Sequence, residues 1–368
     1  MRVVQVTHHF LPCIGGVERV VLYTAQKLVK EGHKCRVVCL DRCHNSEKLL
    51  PSSEKFKGIE IKRIPFSDLK YYKVAPRVLD FIKDADLVHV HGIGFFSDYL
   101  LLTKHFHRKP IVVSTHGGVF HTKKLLPIKW LYFNLWNRVL LRRADRVVAV
   151  SKNDFRIFSK LTKKISLVEN GVDVERLLKL KRAAEKGLFV FIGRITSSKR
   201  IDLLLKAFAV VKEEQPFVRL AIVGEDFDGT KKKLLGLVKK LGLENCVEFA
   251  GNLTGKELDA LMSRAEFFAS ASEYEGFGIS AIEAMAAGEI VFLNNIDSFR
   301  NFVKHKENGF LVDFSDPETA GLKISEALDS GREELEKIRK NAVVSVQKYS
   351  LNNSFNSLME VYNSVAEK

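Results

Sequence analysis

The 368-residue sequence has no apolar run approaching the ~20 residues that a membrane-spanning helix needs. Its opening, MRVVQVTHHF, has one basic residue before a short strand-like run, so no secretory signal is expected. A cytoplasmic protein is expected, with room for peripheral contact at the inner face of the cell membrane. Cysteine is scarce and odd in number, five in all, which argues against a disulfide framework. Cys35, Cys39 and Cys43 recur every four residues with His44 beside them, but HKCRVVCL reads as a strand. That spacing on a strand makes no Cys-x2-Cys knuckle, so buried thiols and no metal are expected. Acidic residues are short: 44 against 59 Lys and Arg, a formal charge of +15. Such an excess favours nucleic acid, an anionic membrane or an acidic ligand. The positive charge is scattered and no nucleic-acid recognition motif is evident, so nucleic acid is not an expected partner.

What is present describes an ordinary folded protein, 46% hydrophobic and 28% charged, and long enough for two domains. Strand-like runs at 2–6, 35–40, 59–64, 87–91, 111–114, 147–150 and 165–168 alternate with helical stretches. A lysine-rich connector follows. The alternation then restarts at 188–191, 219–223, 247–249, 267–269, 290–293 and 310–312. This pattern predicts an α/β protein of two doubly wound, Rossmann-like domains facing a central cleft. The expected boundaries are 1–173 for the first domain, 174–187 for a linker, 188–349 for the second domain and 350–368 for a final helix. Apolar Phe355, Leu358, Val361 and Tyr362 recur in that helix at helical spacing.

The stretch 270–295, SASEYEGFGISAIEAMAAGEIVFLNN, carries the densest signal. A strand-like run leads into a turn holding Glu275, Gly276, Phe277 and Gly278, and Ile279, Ile282 and Met285 then repeat at helical spacing. A glycine-bearing turn that opens a helix presents backbone N–H groups, which suit a phosphate. Glu275 in the turn and Glu283 within the helix are placed to meet hydroxyl groups of the same ligand. On spacing alone, two solvated glutamates fit as well. A second strand, VFIGRITSS, ends with Arg194 and Lys199 near its C-terminal edge, where open α/β sheets bind ligands. In the first half, His9 to Pro12 and then Gly15 and Gly16 follow a strand and open a helix. That turn fits either close approach to an anion or a plain tight turn. His116 and Gly117 follow another strand, as His91 and Gly92 do.

EGFG followed by EAMAAG, with its Glu-x7-Glu spacing, resembles the donor site of retaining, nucleotide-sugar-dependent glycosyltransferases of family 4, which have the GT-B fold. VFIGRITSSK resembles that family's Gly-Arg-x4-Lys element. The resemblance implies that Arg194 and Lys199 contact the donor diphosphate, with Glu275, Gly276, Phe277, Gly278, Ile279 and Glu283 around the rest of the donor. It implies that Gly15 and Gly16 approach the diphosphate and that His116 contacts the transferred sugar. Gly224, Asn252 and Leu253 match loops that hold the nucleotide base, and Asn170 matches a turn leading to the hinge. His116, Arg194, Lys199 and Glu275 are the candidates for the chemistry, with a nucleotide-diphosphate sugar, UDP- or GDP-linked, as co-substrate. The acceptor class implied is a lipid, lipid-linked saccharide or glycan. Fixed cations and helix N-termini would serve the leaving group, so no metal or other cofactor is expected. The resemblance also implies that the last helix crosses back to the first domain. One departure stands out: Asp297 and Ser298 occupy the family's Gly-Gly positions, where they are expected to act as a helix cap. Two alternatives share the fold, a nucleotide-sugar 2-epimerase and a non-catalytic sugar-nucleotide-binding protein; the first lacks its expected acid/base set here.

Residues 118–143 hold Lys123, Lys124, Lys129, Arg138, Arg142 and Arg143 with no acidic residue. The same stretch holds Trp130, Tyr132, Phe133 and Trp136. Aromatic and cationic residues together fit a helix lying on an anionic membrane through 123–143. They fit equally a core helix with solvated cations at its ends.

Overall fold

In a computed structural model of the protein, residues 1–13, 15–44, 46–69, 72–117 and 130–366 are described. The chain forms two compact units, residues 1–171 with 351–368, and residues 172–350.

The first unit is built on β1 (Arg2–Val6), β2 (Lys34–Leu40), β3 (Ser53–Phe56), β4 (Ile59–Ile64), a small ribbon of β5 (Ser67–Asp68) and β6 (Lys73–Val74), and then β7 (Leu87–His91), β8 (Ile111–Ser114), β9 (Arg146–Ala149) and β10 (Ile165–Leu167). Eight of these make one sheet in the order β10-β9-β8-β7-β1-β2-β4-β3. All neighbours are parallel except β3 and β4. β3 falls between the expected strands at 35–40 and 59–64, where the sequence pattern shows none. Its side chains are mostly exposed, and what forms it is the Lys57-Gly58 turn, whose φ values of 46° and 81° suit a tight hairpin.

Strands covered on both faces are buried along nearly their whole length, as β1, β7 and β8 are, and Gln5, His89, His91 and Ser114 are the polar breaks in their apolar runs. The chain's last helix, Leu351–Ala366, lies on the first unit and buries Phe355, Leu358, Val361, Tyr362 and Val365 there. Each such side chain contributes roughly 2 kcal/mol of burial. Gly171 permits the contact, because a Cβ there would lie 2.8 Å from the Leu351 backbone.

The second unit holds β11 (Leu188–Ile192), β12 (Arg219–Val223), β13 (Val247–Gly251), β14 (Phe267–Ser270), β15 (Ile290–Asn294) and β16 (Phe310–Val312). They form one parallel sheet, β13-β12-β11-β14-β15-β16. A row of phenylalanines crosses one face: Phe189 stacks on Phe267 at 4.7 Å between ring centres, and Phe292 on Phe310 at 4.8 Å. The strand order reverses between β11 and β14. Loops leaving those two strands diverge to opposite sides, and a doubly wound sheet binds its ligand at that crevice.

Three cysteines, Cys35, Cys39 and Cys246, are buried thiols. The expectation that Cys43 is a buried thiol is corrected, however: it is bonded to Cys13, with their Cα atoms 5.6 Å apart. An odd total left one pair free to form, and only the fold brings residues 30 apart in sequence together at the ends of β1 and β2. Among the described residues no cluster of His, Cys, Asp or Glu is arranged to hold a metal ion, and no helix is long and apolar enough to cross a membrane.

Candidate active site

In the second unit, Gly193 follows β11 and a 3-10 turn, Ser197–Lys199, leads into the helix Ile201–Glu214. Arg194 is exposed, and its guanidinium lies 4.7 Å over the Phe227 ring. Three strand ends are laced together here. Gly193 N–H donates to Val223 O at 3.0 Å and Gly224 N–H to Gly251 O at 2.8 Å. Gly224 must be glycine: a Cβ would fall 1.8 Å from Gly193 O. This close approach brings the Arg194 loop, the Gly224 turn and the segment carrying Asn252 and Leu253 to one edge of the sheet.

On the other side of the switch point, β14 runs into the turn 271–278. Lys199 Nζ meets Glu275 Oε1 at 2.5 Å, and Ser272 Oγ donates to the same oxygen at 3.0 Å. Both side chains are under one-fifth exposed. Glu273 N–H donates to Ser198 O at 3.1 Å, so backbone as well as charge joins the two loops. Residues 76 apart in sequence thus meet at the sheet's switch point.

Gly278 is the N-cap of the helix Ile279–Ala286 with φ 94°, and no side chain caps it. The helix's own hydrogen bonds begin at Ala281, which donates to Gly278 O. The first N–H groups of the helix therefore lack helical partners, the arrangement that suits an anion. Phe277 is buried, edge-on to Tyr349 at 5.5 Å, and anchors the turn from below. Gly276 lies in the same turn, and Glu283 is buried in the second turn of the helix.

Asp297 and Ser298 are not the cap expected of them. The N-cap of their short helix is Ile296, with no side-chain bond, because Ser298 and Phe299 turn inward and are buried. Asp297 pairs instead with Arg300 at 2.6 Å, which offsets its charge.

Glu289 was not anticipated. It is fully buried, neither carboxyl oxygen has a partner, and burial pushes its pKa well above the carboxylate range. Nothing in EAMAAGE marks it, since an acidic residue after a helix-ending glycine is ordinarily solvated.

In the first unit the loop after β1 is held from several sides. The buried Arg63 guanidinium donates to Leu11 O at 2.6 Å, and the disulfide ties Cys13 to Cys43. His9 Nδ1 lies 3.0 Å from Arg42 O. Gly15 is the extended N-cap of the helix Gly16–Lys30, and a Cβ on it would lie against the Glu18 carboxylate.

His116 ends the run after β8 with φ 45°. Asp154 fixes this turn by accepting from the Thr115 hydroxyl and from Gly117 N–H at 2.9 Å. Asp154 was missed in sequence because it is 37 residues away. His91 Nδ1 is 3.0 Å from His116 Nε2. Burial lowers the His116 pKa to about 4 and that of His91 well below the usual value, so both rings are neutral at pH 7. Asn170 is buried and lines a cavity of about 30 Å³ with His89, His91 and Ser114.

Residues 118–129, with Gly118, Lys123, Lys124 and Lys129, lie outside the described residues. Beyond them Phe133, Asn137, Leu140 and Leu141 are buried, with the π-helix Tyr132–Asn137 at the centre. The Tyr132 hydroxyl and Trp136 indole N–H donate to Asp98, at 2.7 and 3.2 Å, and the Tyr72 hydroxyl joins them at 2.8 Å. Exposed in the same stretch are Trp130, Leu131, Leu135 and Val139, part of Trp136, and Arg138, Arg142 and Arg143.

Comparison with known proteins agrees with this architecture. Residues 14–176 match the model described as Glycosyltransferase Family 4, and residues 176–344 match Glycosyl transferases group 1. The chain is 36% identical to a GDP-mannose:cellobiosyl-diphosphopolyprenol alpha-mannosyltransferase of Xanthomonas oryzae pv. oryzae, covering 88% of this chain and 86% of that one. It is 31% identical to the protein of the same description from Komagataeibacter xylinus, over 85% and 80% of the two chains. Its fold is similar to that of Anabaena Alr3699/HepE, solved with UDP and glucose, with a TM-score of 0.78 at 20% identity over 99% and 100% of the chains. Sucrose-phosphate synthase of Thermosynechococcus elongatus aligns with a TM-score of 0.80 at 19% identity over 99% and 98%. By these matches over nearly its whole length, the chain belongs to glycosyltransferase family 4, with the GT-B fold.

Proposed function

We propose that this protein is a retaining, metal-independent hexosyltransferase that moves a sugar from a nucleotide diphosphate to a lipid-linked saccharide. The observation that carries the reading is the junction of Lys199 and Glu275 at the switch point of the second unit's sheet, beside an uncapped helix start. Among the donors, GDP-mannose is the first choice, from the likeness to GDP-mannose-dependent relatives.

Arg194 and Lys199, with the N–H groups at Ile279, would hold the diphosphate and stabilise the charge that develops as the anomeric C–O bond breaks. Lys199 would exchange part of its bond to Glu275 for one to phosphate. That frees Glu275, with Glu283, for ligand hydroxyls. The Gly224 turn, Asn252 and Leu253 would take the base largely by backbone. In the first unit, Gly15–Gly16 would admit an anionic oxygen and His116 a sugar hydroxyl. The acceptor oxygen would bond to the anomeric carbon on the face that the nucleoside diphosphate leaves. The acceptor's proton would pass to a donor phosphate oxygen.

The exposed apolar and arginine-bearing face of residues 130–143 supports peripheral attachment to an anionic, inner-face membrane, where a lipid-linked acceptor resides. Purified protein incubated with GDP-mannose, UDP-glucose or ADP-glucose and a polyprenyl-diphosphate disaccharide tests the reading. Transfer from GDP-mannose, with the donor's anomeric configuration kept and unchanged in EDTA, is expected. An inverted product would remove the retaining assignment, and loss in EDTA with recovery on adding magnesium would remove metal independence. Vesicle sedimentation tests the membrane face: equal binding to neutral and anionic vesicles, or binding to neither, overturns it.

A further inference from the structure

His89, His91 and His116 form a row towards the C-terminal edge of the first unit's sheet, His89 tilted against His91 and His91 stacked on His116. Ring centres are 4.0 Å apart for His89 and His91, and 5.3 Å for His91 and His116. Beside them Gln5, on the central strand β1, is fully buried. Its amide can be oriented from its surroundings. Nε2 faces Val21 O at 3.4 Å, and the opposite orientation would set two carbonyl oxygens against each other. Oε1 therefore faces His91 Nε2, at 2.9 Å.

A carbonyl oxygen only accepts, so His91 carries its proton on Nε2. A neutral imidazole has one N–H, which leaves His91 Nδ1 as a lone pair. That lone pair is 3.0 Å from His116 Nε2, which must donate. The proton of His116 is thereby committed to the interior. The Asp154 bond to Gly117 N–H fixes the backbone on the other side of the same residue.

We infer that Gln5 and His91 are positioning residues that hold His116 as the Nε2–H tautomer, so that it offers a ligand the Nδ1 lone pair, an acceptor for a sugar hydroxyl and not a donor to phosphate. This rests on the proposed role of His116 and makes it narrower. A lone pair repels phosphate oxygens and selects a group with a proton to give. Neither Gln5 nor His91 touches the substrate in this scheme. Had the amide of Gln5 faced the other way, the same chain of bonds would have turned His116 into a donor.

The test reads the tautomer directly. In full-length protein labelled with ¹⁵N-histidine, long-range ¹H–¹⁵N spectra should show His116 with a pyrrole-like Nε2 and a pyridine-like Nδ1, assigned by difference from His116→Ala. A pyrrole-like Nδ1 overturns the relay whatever the enzyme's activity. Gln5→Leu should mix the two tautomers and lower kcat/KM by about tenfold, the order expected for one lost hydrogen bond to a sugar hydroxyl. In the His116→Ala background, Gln5→Leu should have no further effect; losses that multiply would make Gln5 merely structural and sink the positioning role. If the wild-type tautomer is as inferred but His116→Ala transfers at the wild-type rate, the sugar contact itself is wrong. The wild-type spectrum needs no variant to fold, so an unstable Gln5→Leu leaves that readout intact.

Discussion

The two units place their candidate residues at the same edge of the same kind of sheet, yet by opposite electrostatic means. In the second unit the groups are charged and partly solvated: Arg194 over Phe227, and Lys199 against Glu275. In the first they are neutral: buried His89 and His91 and half-buried His116, in a row tied to Gln5, Ser114 and Tyr362. Cations near the surface can meet an anion by shifting a long side chain. Buried rings cannot move, and they hold a hydrogen-bond polarity instead of a charge. The contrast suits a division in which one unit binds phosphate and the other reads hydroxyl groups.

Acid should separate the two most sharply. Burial lowers the pKa of His89 to about 3, of His116 to about 4, and of His91 well below 6.5. In the unfolded chain each would take a proton near pH 6.5, so their neutral burial favours the fold above that pH and loses ground from 6.5 towards 4. Each ring costs roughly 1.4 kcal/mol per pH unit in that window. Glu289 has the opposite sign: its raised pKa makes its burial harmless below about pH 4.5 and costly as pH rises. Calorimetry from pH 7 to 4.5 should therefore show the first unit's transition falling well before the second's. Parallel falls would erase the contrast.

Gly224→Val should come next in size. Its Cβ would overlap Gly193 O, at a cost of roughly 3 kcal/mol or more, read as a lowered unfolding midpoint of the second unit. Arg194→Ala and Lys199→Ala should each slow transfer by about 10²–10³, the range for removing one preorganised donor at developing charge. Wild-type turnover in both would contradict a leaving-group role for these cations. Glu283→Ala should act mainly on binding, raising the donor KM by about tenfold with kcat little changed. The smallest change expected is a gain: Glu289→Met should raise the second unit's stability at pH 7 by about 1 kcal/mol, because an unpartnered buried carboxyl gives way to an apolar side chain.

Much of this was legible in the chain. Alternating strand and helix periods predicted two doubly wound α/β units, since period and apolar run length are local properties. EGFG and EAMAAG marked the donor helix because its glycine and its apolar face are contiguous in sequence. Arg194 and Lys199 stood out for the same reason, five residues apart behind a strand. Asp154, Gln5 and Asp98 were silent. Each is one polar residue in an unremarkable segment, and each acquires a partner only across the sheet or between helices. The Cys13–Cys43 bond and the inward turn of Ser298 were misread because both depend on which loops the fold sets side by side.

By itself the sequence determined the family, the strand and helix alternation, and the residues of the donor turn, because each is written in neighbouring positions. Tertiary structure alone decided that Lys199 lies against Glu275, that Glu289 is sealed from water, and that His116 comes within hydrogen-bonding distance of His91. Those outcomes turn on distances between residues far apart in the chain. A hydrogen bond or a lost hydration shell depends on separations of a few ångströms, which no local pattern encodes.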